Sequence, residues 1–375
     1  MLLEPTEDQT FFRETTQRYL VDRADPEVVR GLRDDPAGFT DAYWRGGAEL
    51  GWISLLVGEE AGGGSISGAP VIDLSLIAFE FGRAAAPGPL LPTNLAACAL
   101  SDAAAAGGAG GEAAELLPAL MGGRAIASWA DGAPTLTITA DGDDLVLNGA
   151  VRPVESAPQA SHLVVTGATG SGITQVLVPT DAAGVTVTSL RSLDLTRRFS
   201  AVQFDGVRVA GSSVLGAVGG AGAAVTRQRQ LGIVIVTAEM VGTMQRAFDL
   251  TLEWLKDRYS FGRPLASYQA LKHRAADMAL WLEAGHAVSD GAAAAVQEDA
   301  PDAEEILSAA KAYIGEFGSE LLQDCVQLHG GIGVTYEHDL HLFMRRHTVD
   351  RTLFGPPDHH RQRLAEIAID AEDVA

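Results

Sequence analysis

Few cysteines, few cations and no long apolar run mark this chain of 375 residues. Its two cysteines, Cys98 and Cys325, lie far apart in sequence. That excludes a disulfide framework and a CxxC metal pair, and it fits a reducing compartment. Lysine and arginine total 27 against 49 aspartates and glutamates, for a formal charge of −22. So acidic a chain repels phosphate backbones and anionic lipid, which argues against nucleic acid and membrane surfaces as partners. The first twenty residues, MLLEPTEDQTFFRETTQRYL, are acidic from the start and lack the basic and apolar regions of a secretion signal. No run of eighteen apolar residues occurs, and LGIVIVTAEMVGTM (231–244), broken by Thr237 and Glu239, reads as a buried helix. The setting these absences suggest is cytoplasmic.

What is present falls into three blocks. Residues 1–121 read as helical, with Thr6 as a cap before Phe11, Phe12, Tyr19 and Leu20. A further helix over 71–84 is expected to close at Gly82, and the glycine-rich part of 103–120 is expected to hold a mobile turn before one more helix. Residues 122–220 alternate apolar with polar residues in short runs, with a hairpin signature at DGDD (141–144). This regular spacing predicts a small β-sandwich or barrel. Residues 221–375 return to helices. Val241, Met244, Phe248, Leu252 and Leu255 form one stripe, and Ile306, Ala310, Tyr313, Phe317, Leu321, Cys325 and Leu328 another, the pattern of a packed helical bundle.

Two segments carry chemistry. In DRYSFGRPLASYQALKHRAADM (257–278) a helix ends at Arg258, whose charge suits the helix C-terminus. The same forked guanidinium can bind a phosphate, with Gln269 within reach of a base or ribose. In QLHGGIGVTYEHDLHLFMRR (327–346) a glycine pair follows a helix, where it serves as a plain stop or lets free N–H groups approach a phosphate.

Together these segments resemble the C-terminal domain of acyl-CoA dehydrogenases, and LLVGEEAGGGSIS (55–67) is similar to a loop of that family's helical N-terminal domain. The resemblance covers nearly the whole chain. It implies an α+β multi-domain fold: an N-terminal helical domain, a central β domain and a C-terminal four-helix bundle. It also implies α,β-desaturation of an acyl-CoA, in which a glutamate takes the α-proton and FAD accepts the β-hydride. An electron-transfer flavoprotein is then a possible partner. In that family one subunit holds the adenosine diphosphate end of its neighbour's FAD. Carried over, the clamp consists of Arg258, Phe261, Gln269, Gln327, Gly330 and Gly331, all present here.

The pattern breaks at the base. The glutamate's usual position, before a glycine about ten residues after Met344-Arg345, holds Phe354. The family's alternative position lies in RQRQLGIVIV (227–236), which has no carboxylate. Glu337, Asp339 and Asp350 are nearby in sequence, but they are expected to pair with Arg345, Arg346 or Arg351. The family's flavin-holding TEPxxGSD-type loop is replaced by SWADGAPTLTI (128–138), and its KxWITN-type segment by AVRPVES with Pro153. No catalytic residue is therefore assigned. A chain that keeps the clamp for a neighbour's flavin and lacks the residues for its own suits a heterotetramer, with FAD shared across the interface with a homologous subunit. A homotetramer with Glu337 or Asp350 as an unusual base, and a purely structural subunit, are the rival readings. Adjacent His359 and His360 beside Asp358 lack a third metal ligand and are expected in a solvated loop, while His338 and His341, three apart, are expected to pack on the arginines.

Overall fold

The structure is a computed structural model describing residues 4–107 and 111–374. Helices α1 (Glu7–Arg23), α2 (Pro26–Gly31), α3 (Asp41–Glu49), α4 (Pro70–Ala84), α5 (Leu90–Ala105) and α6 (Glu112–Met121) form the first layer. Thr6 caps α1 through a reciprocal box with Gln9, as the local sequence predicts. Phe12 and Leu20 are buried, whereas Phe11 faces solvent. The mobile turn expected within 103–120 falls partly at 108–110, outside the described residues; α5 and α6 flank it.

Gly82 does not close α4, which runs on to Ala84. A Cβ at Gly82 would lie 2.0 Å from the main-chain oxygen of Glu239, and one at Gly242 would lie 2.1 Å from that of Phe79. These two glycines let α4 cross the first long helix of the last block, α7 (Gly222–Asp257), at main-chain distance. Here glycine is a packing residue and not a helix stop.

Strands β1 (Ala127–Asp131), β2 (Leu136–Asp141), β3 (Asp144–Glu155), β4 (His162–Thr169), β5 (Gly172–Pro179), β6 (Val185–Leu190) and β7 (Phe199–Ala210) form one sheet, not two stacked ones. Its order is β1-β4-β2-β3-β7-β6, and β5 pairs with β4. The sheet curls. Register shifts in β3 at Leu147/Gly149 and Val151/Val154 bend it, so that Ala130, Leu147, Val165, Val176 and Phe204 from five strands meet in one core. Strand alternation alone does not separate this from a sandwich, because both bury every second residue. Val164 and Leu177, on the opposite face, join the helical core instead.

In the last block α7, α8 (Gln269–Gln297) and α9 (Ala303–His329) pack on one another, with α10 (Leu340–Asp350) on α7 and α11 (Pro357–Val374) on α9. A two-stranded hairpin, β8 (Tyr259–Ser260) and β9 (Arg263–Pro264), joins α7 to α8. Helix α7 is long and apolar enough to cross a membrane by length and composition, but 83% of its most apolar window is buried in the protein. It is the axis of the bundle.

Where the three layers meet, charge is buried. Arg197, between β6 and β7, pairs with Asp350 at 2.9 Å, Glu239 at 2.6 Å and Glu155 at 3.5 Å. Arg346 pairs with Asp194 at 2.5 Å and donates to the main-chain oxygen of Ala86 at 2.7 Å. Four carboxyls thus face two guanidiniums. Burial outweighs those cations at Glu155, raising its pKa to about 7, and also pushes Asp350 well above the usual carboxylate range. Both shifts favour a shared proton in the cluster over four full negative charges. Arg197→Met leaves three buried carboxyls without their nearest cation and is expected to cost about 3–5 kcal/mol in denaturant unfolding. A loss below about 1 kcal/mol would show that the junction does not depend on it.

Candidate functional site

The segment that would carry the family's glutamate follows α10. Phe354 and Gly355 both take left-handed backbone angles, at φ 57° and 105°. A non-glycine residue held there needs support, and two buried groups provide it. The Lys311 ammonium donates to the main-chain oxygens of Asp350 at 3.0 Å, Arg351 at 2.9 Å and Gly355 at 3.1 Å. Its three donors are used up, and burial lowers its pKa to about 7. His360 donates from Nε2 to the Phe354 oxygen at 3.1 Å and accepts from the Ser308 hydroxyl at Nδ1, 3.2 Å away.

His360 is therefore not in a solvated loop, contrary to expectation. Both histidines lie in the first turn of α11; His359 is exposed and His360 is buried.

The Phe354 ring sits over Gly232 of α7, inside the segment where the alternative glutamate is absent. A Cβ at Gly232 would lie 2.2 Å from the ring's Cζ. On its other side is Trp129 of β1, with centroids 6.0 Å apart. The Trp129 Nε1–H donates to Gln228 at 2.8 Å, and Gln228 exchanges hydrogen bonds with Gln175 at 2.7 and 3.1 Å. The β1–β2 connection, the place of the replaced flavin loop, spans only residues 132–135, and Pro153 lies at the register shift of β3.

The cleft beside Phe354, about 570 Å³, is lined by Asp131, Arg229, Ile233, Glu304, His359 and Arg363 among others. Its carboxylates are paired: Asp131 with Arg229 at 2.6 Å and Glu304 with Arg363 at 2.6 Å. Asp350 is fully buried and pairs with Arg197, not with Arg345, Arg346 or Arg351 as expected. Asp339 pairs with Arg30. Glu337 is exposed, and its main-chain oxygen accepts from Arg30 at 3.3 Å. None of these positions a free carboxylate against Phe354. His341 packs on Tyr336 at 4.9 Å, and Tyr336 in turn lies under Arg345; His338 precedes α10 and packs on His329 instead.

The second sequence pattern converges elsewhere. Arg258, Gln327, Gly330 and Gly331 line one cleft of about 600 Å³, open to solvent, between the end of α7 and the end of α9. Arg258 caps α7, and its guanidinium lies 5.7 Å from the Trp254 ring. Gly330 ends α9 at φ 67°, ψ −141°, a conformation only glycine adopts readily. A Cβ on Gly331 would meet nothing within 4 Å, so that space is left to something outside the chain's own packing. Phe261 is 97% exposed at the tip of the β8–β9 hairpin, and Gln269 is exposed at the start of α8. Neither lines the cleft. The arginine, the glycine pair and the open floor suit a diphosphate.

Sequence reasoning did not find Lys311, Gly232, Trp129 or Arg197. The signals available were a lysine and a glycine on helix faces that are otherwise apolar, and neither names its partner.

Two measurements follow from the geometry. Gly232→Ala must displace the Phe354 ring and is expected to cost about 1–3 kcal/mol. Combined with Phe354→Ala, most of that cost disappears, a coupling of about 1 kcal/mol or more in a double-mutant cycle; strictly additive losses would refute the contact. His360 has its pKa lowered to about 4, with burial the leading cause. Its unfolded form, near 6.5, takes up a proton first as pH falls. Stability from its neutral ring is thus complete above pH 6.5 and drains away toward pH 4. His360→Gln keeps a donor and an acceptor, and is expected to flatten the decline of Tm across that window; an unchanged slope would contradict the assignment.

Comparison with known proteins agrees with the order of the layers. The acyl-CoA dehydrogenase N-terminal domain family matches residues 6–124, and its C-terminal domain family matches residues 220–369. The chain is 31% identical over 362 residues to the acyl-CoA dehydrogenase IpdE2 of Mycolicibacterium smegmatis, covering 96% of this chain and 98% of that protein. Among solved structures, a variant of the steroid acyl-CoA dehydrogenase Tcur3481-Tcur3483 superposes with TM-score 0.87 at 26% identity, covering 98% and 99% of the two chains. The ChsE4-ChsE5 complex of Mycobacterium tuberculosis shares the fold, with TM-score 0.86 at 24% identity over 97% of each chain. With its helical, curled-sheet and helical layers in that order, the chain belongs to the acyl-CoA dehydrogenase family of FAD-dependent oxidoreductases.

Proposed function

We propose that this chain is the non-catalytic subunit of a heteromeric acyl-CoA dehydrogenase and completes the FAD site of a homologous partner subunit. The observation that carries the reading is the Phe354–Gly232 contact. The position of the proton acceptor holds a packed ring, while every carboxyl around it is buried or ion-paired. The nucleotide-facing residues, by contrast, are intact and exposed, where a second subunit can reach them.

Two flavin subsites on this chain give opposite results in a test of fit. The ring subsite is occupied by Trp129 and Phe354, whose packing leaves no acceptor for the α-proton. The diphosphate subsite has a cation, a glycine pair and open volume. FAD, held mainly by the partner, supplies the hydride acceptor for α,β-desaturation. This chain's part is electrostatic and positional. Arg258 would neutralise the diphosphate, with the 330–331 main chain and Gln327 lining the same cleft. Phe261 and Gln269, outside the cleft, reach the same nucleotide from the subunit boundary.

The acyl group falls in the steroid class, on the strength of the steroid enzyme named among the structural neighbours. An electron-transfer flavoprotein takes the electrons onward, and the complex works in the cytoplasm.

Expressed alone, the chain is expected to be colourless and inactive. Co-expressed with a homologue that keeps the glutamate, it is expected to give about one FAD per pair of subunits, read from flavin absorbance and protein mass. Arg258→Ala in the complex should lower flavin occupancy several-fold. A lone chain that is yellow and oxidises an acyl-CoA would end the proposal.

A further inference from the structure

A cavity of about 220 Å³ lies between α1, α4, α7 and α10, and it shares no lining residue with either cleft described above. Glu80 of α4 lines it. This residue is 2% exposed, yet its carboxylate makes no hydrogen bond among the described residues. Its nearest cations, Arg13 and Arg83, stop at 3.6 and 3.8 Å, beyond hydrogen-bonding distance. Burial accordingly raises the pKa of Glu80 in spite of both guanidiniums. A buried carboxylate that lacks a donor is costly, and a ligand that supplies one removes the penalty.

Two cations line the same cavity. Arg83 donates to Asp249 at 3.4 Å, and Arg246 of α7 takes part in no ion pair among the described residues. The apolar wall consists of Leu20 and Ala24 of α1 and Phe343 of α10, all buried. Asp25 also lies here, but its carboxylate caps α2 through the amides of Glu27 and Val28. The occupant therefore needs a donor for Glu80, an acceptor for the arginines and an apolar body. Size narrows the choice. The volume exceeds the roughly 150 Å³ that holds benzene and falls below the roughly 300 Å³ at which drug-sized sites begin. We propose that the cavity binds a free apolar α-amino acid of about leucine's size. Its ammonium sits on Glu80, its carboxylate on Arg83 and Arg246, and its side chain against Leu20, Ala24 and Phe343. Neither Phe354 nor Arg258 takes part, so the inference stands apart from the subunit role proposed above and its failure leaves that reading untouched.

The test is calorimetric titration of the full chain with leucine, 4-methylpentanoate, 3-methylbutylamine and glycine. The second lacks the ammonium, the third the carboxylate and the last the apolar body. Wild type is expected to bind leucine about tenfold or more tightly than each of the others, the size of one hydrogen bond to a charged group. Leucine is also expected to raise Tm with concentration, because it binds the folded chain. Glu80→Gln should erase the preference for leucine over 4-methylpentanoate and leave affinity for the acid about unchanged. Arg246→Met should do the converse, weakening both carboxylates and sparing the amine. Ala84→Leu, which fills the cavity from α4, should abolish binding of all and serves if Glu80→Gln does not fold. Equal wild-type affinity for leucine and 4-methylpentanoate, or for leucine and the amine, overturns the zwitterion assignment. Leucine binding that survives in a folded Ala84→Leu chain overturns the site. Absence of leucine binding to wild type, by heat and by Tm, ends the proposal.

Discussion

The buried charge junction around Arg197 and Arg346 is the constraint from which the rest of this structure follows. The two arginines touch all three layers: Ala86 from the first, Glu155 and Asp194 from the sheet, and Glu239 and Asp350 from the bundle. Hydrophobic contact alone lets layers slide. Paired charges in a low-dielectric interior do not, because a displaced partner leaves an uncompensated charge. Asp350 is the last residue of α10, so fixing it fixes where the following loop begins.

From that anchor the loop has little freedom. Lys311 gathers the main-chain oxygens of Asp350, Arg351 and Gly355, and His360 holds the oxygen of Phe354 between them. In a relative with glutamate at this position, such a scaffold would aim a carboxylate. Here it aims a ring at Gly232. The loop is held as firmly as such an aim would require, although it carries no carboxylate at this position.

Local signals are legible in the sequence. The Thr6 cap, the stop at Gly330 and the turn after Arg258 depend on residues within a few positions, and the structure places each of them. The two stripes of apolar residues on α7 and α9 lie in the bundle core or against it, except Phe317, which packs on Trp281 and Tyr313. Non-local arrangements were not legible. Gly82 looked like a stop because its role is set by Glu239, a residue more than 150 positions away. Asp350 has arginines close by in sequence, yet its partner Arg197 lies on a different layer, 153 positions away. The curl of the sheet depends on register shifts in β3, which leave the alternation almost untouched. At the candidate site, the sequence carried the missing carboxylate and the glycine pair, but not the contact that fills the vacancy.

That contact also decides what a carboxylate would meet at this position. A carboxylate in the Phe354 position would be pressed against Gly232 and Trp129, away from water and near no free cation, since Arg229 and Arg363 are already paired. Burial would disfavour its ionised form. A phenylalanine removes that penalty and adds apolar contact over Gly232, which has no side chain to obstruct it. Phe354 and Gly232 are thus better understood as a matched pair than as a defect and a coincidence. No carboxylate stands at position 354, and the volume around it is packed for a ring. On the far side of the bundle, Arg258, Gln327 and the glycines remain unburied, and none of the chain's own packing requires Gly331 to lack a side chain. Gly330 and Arg258 also end their helices, so it is Gly331, with no internal reason to be glycine, that most favours the clamp proposed above.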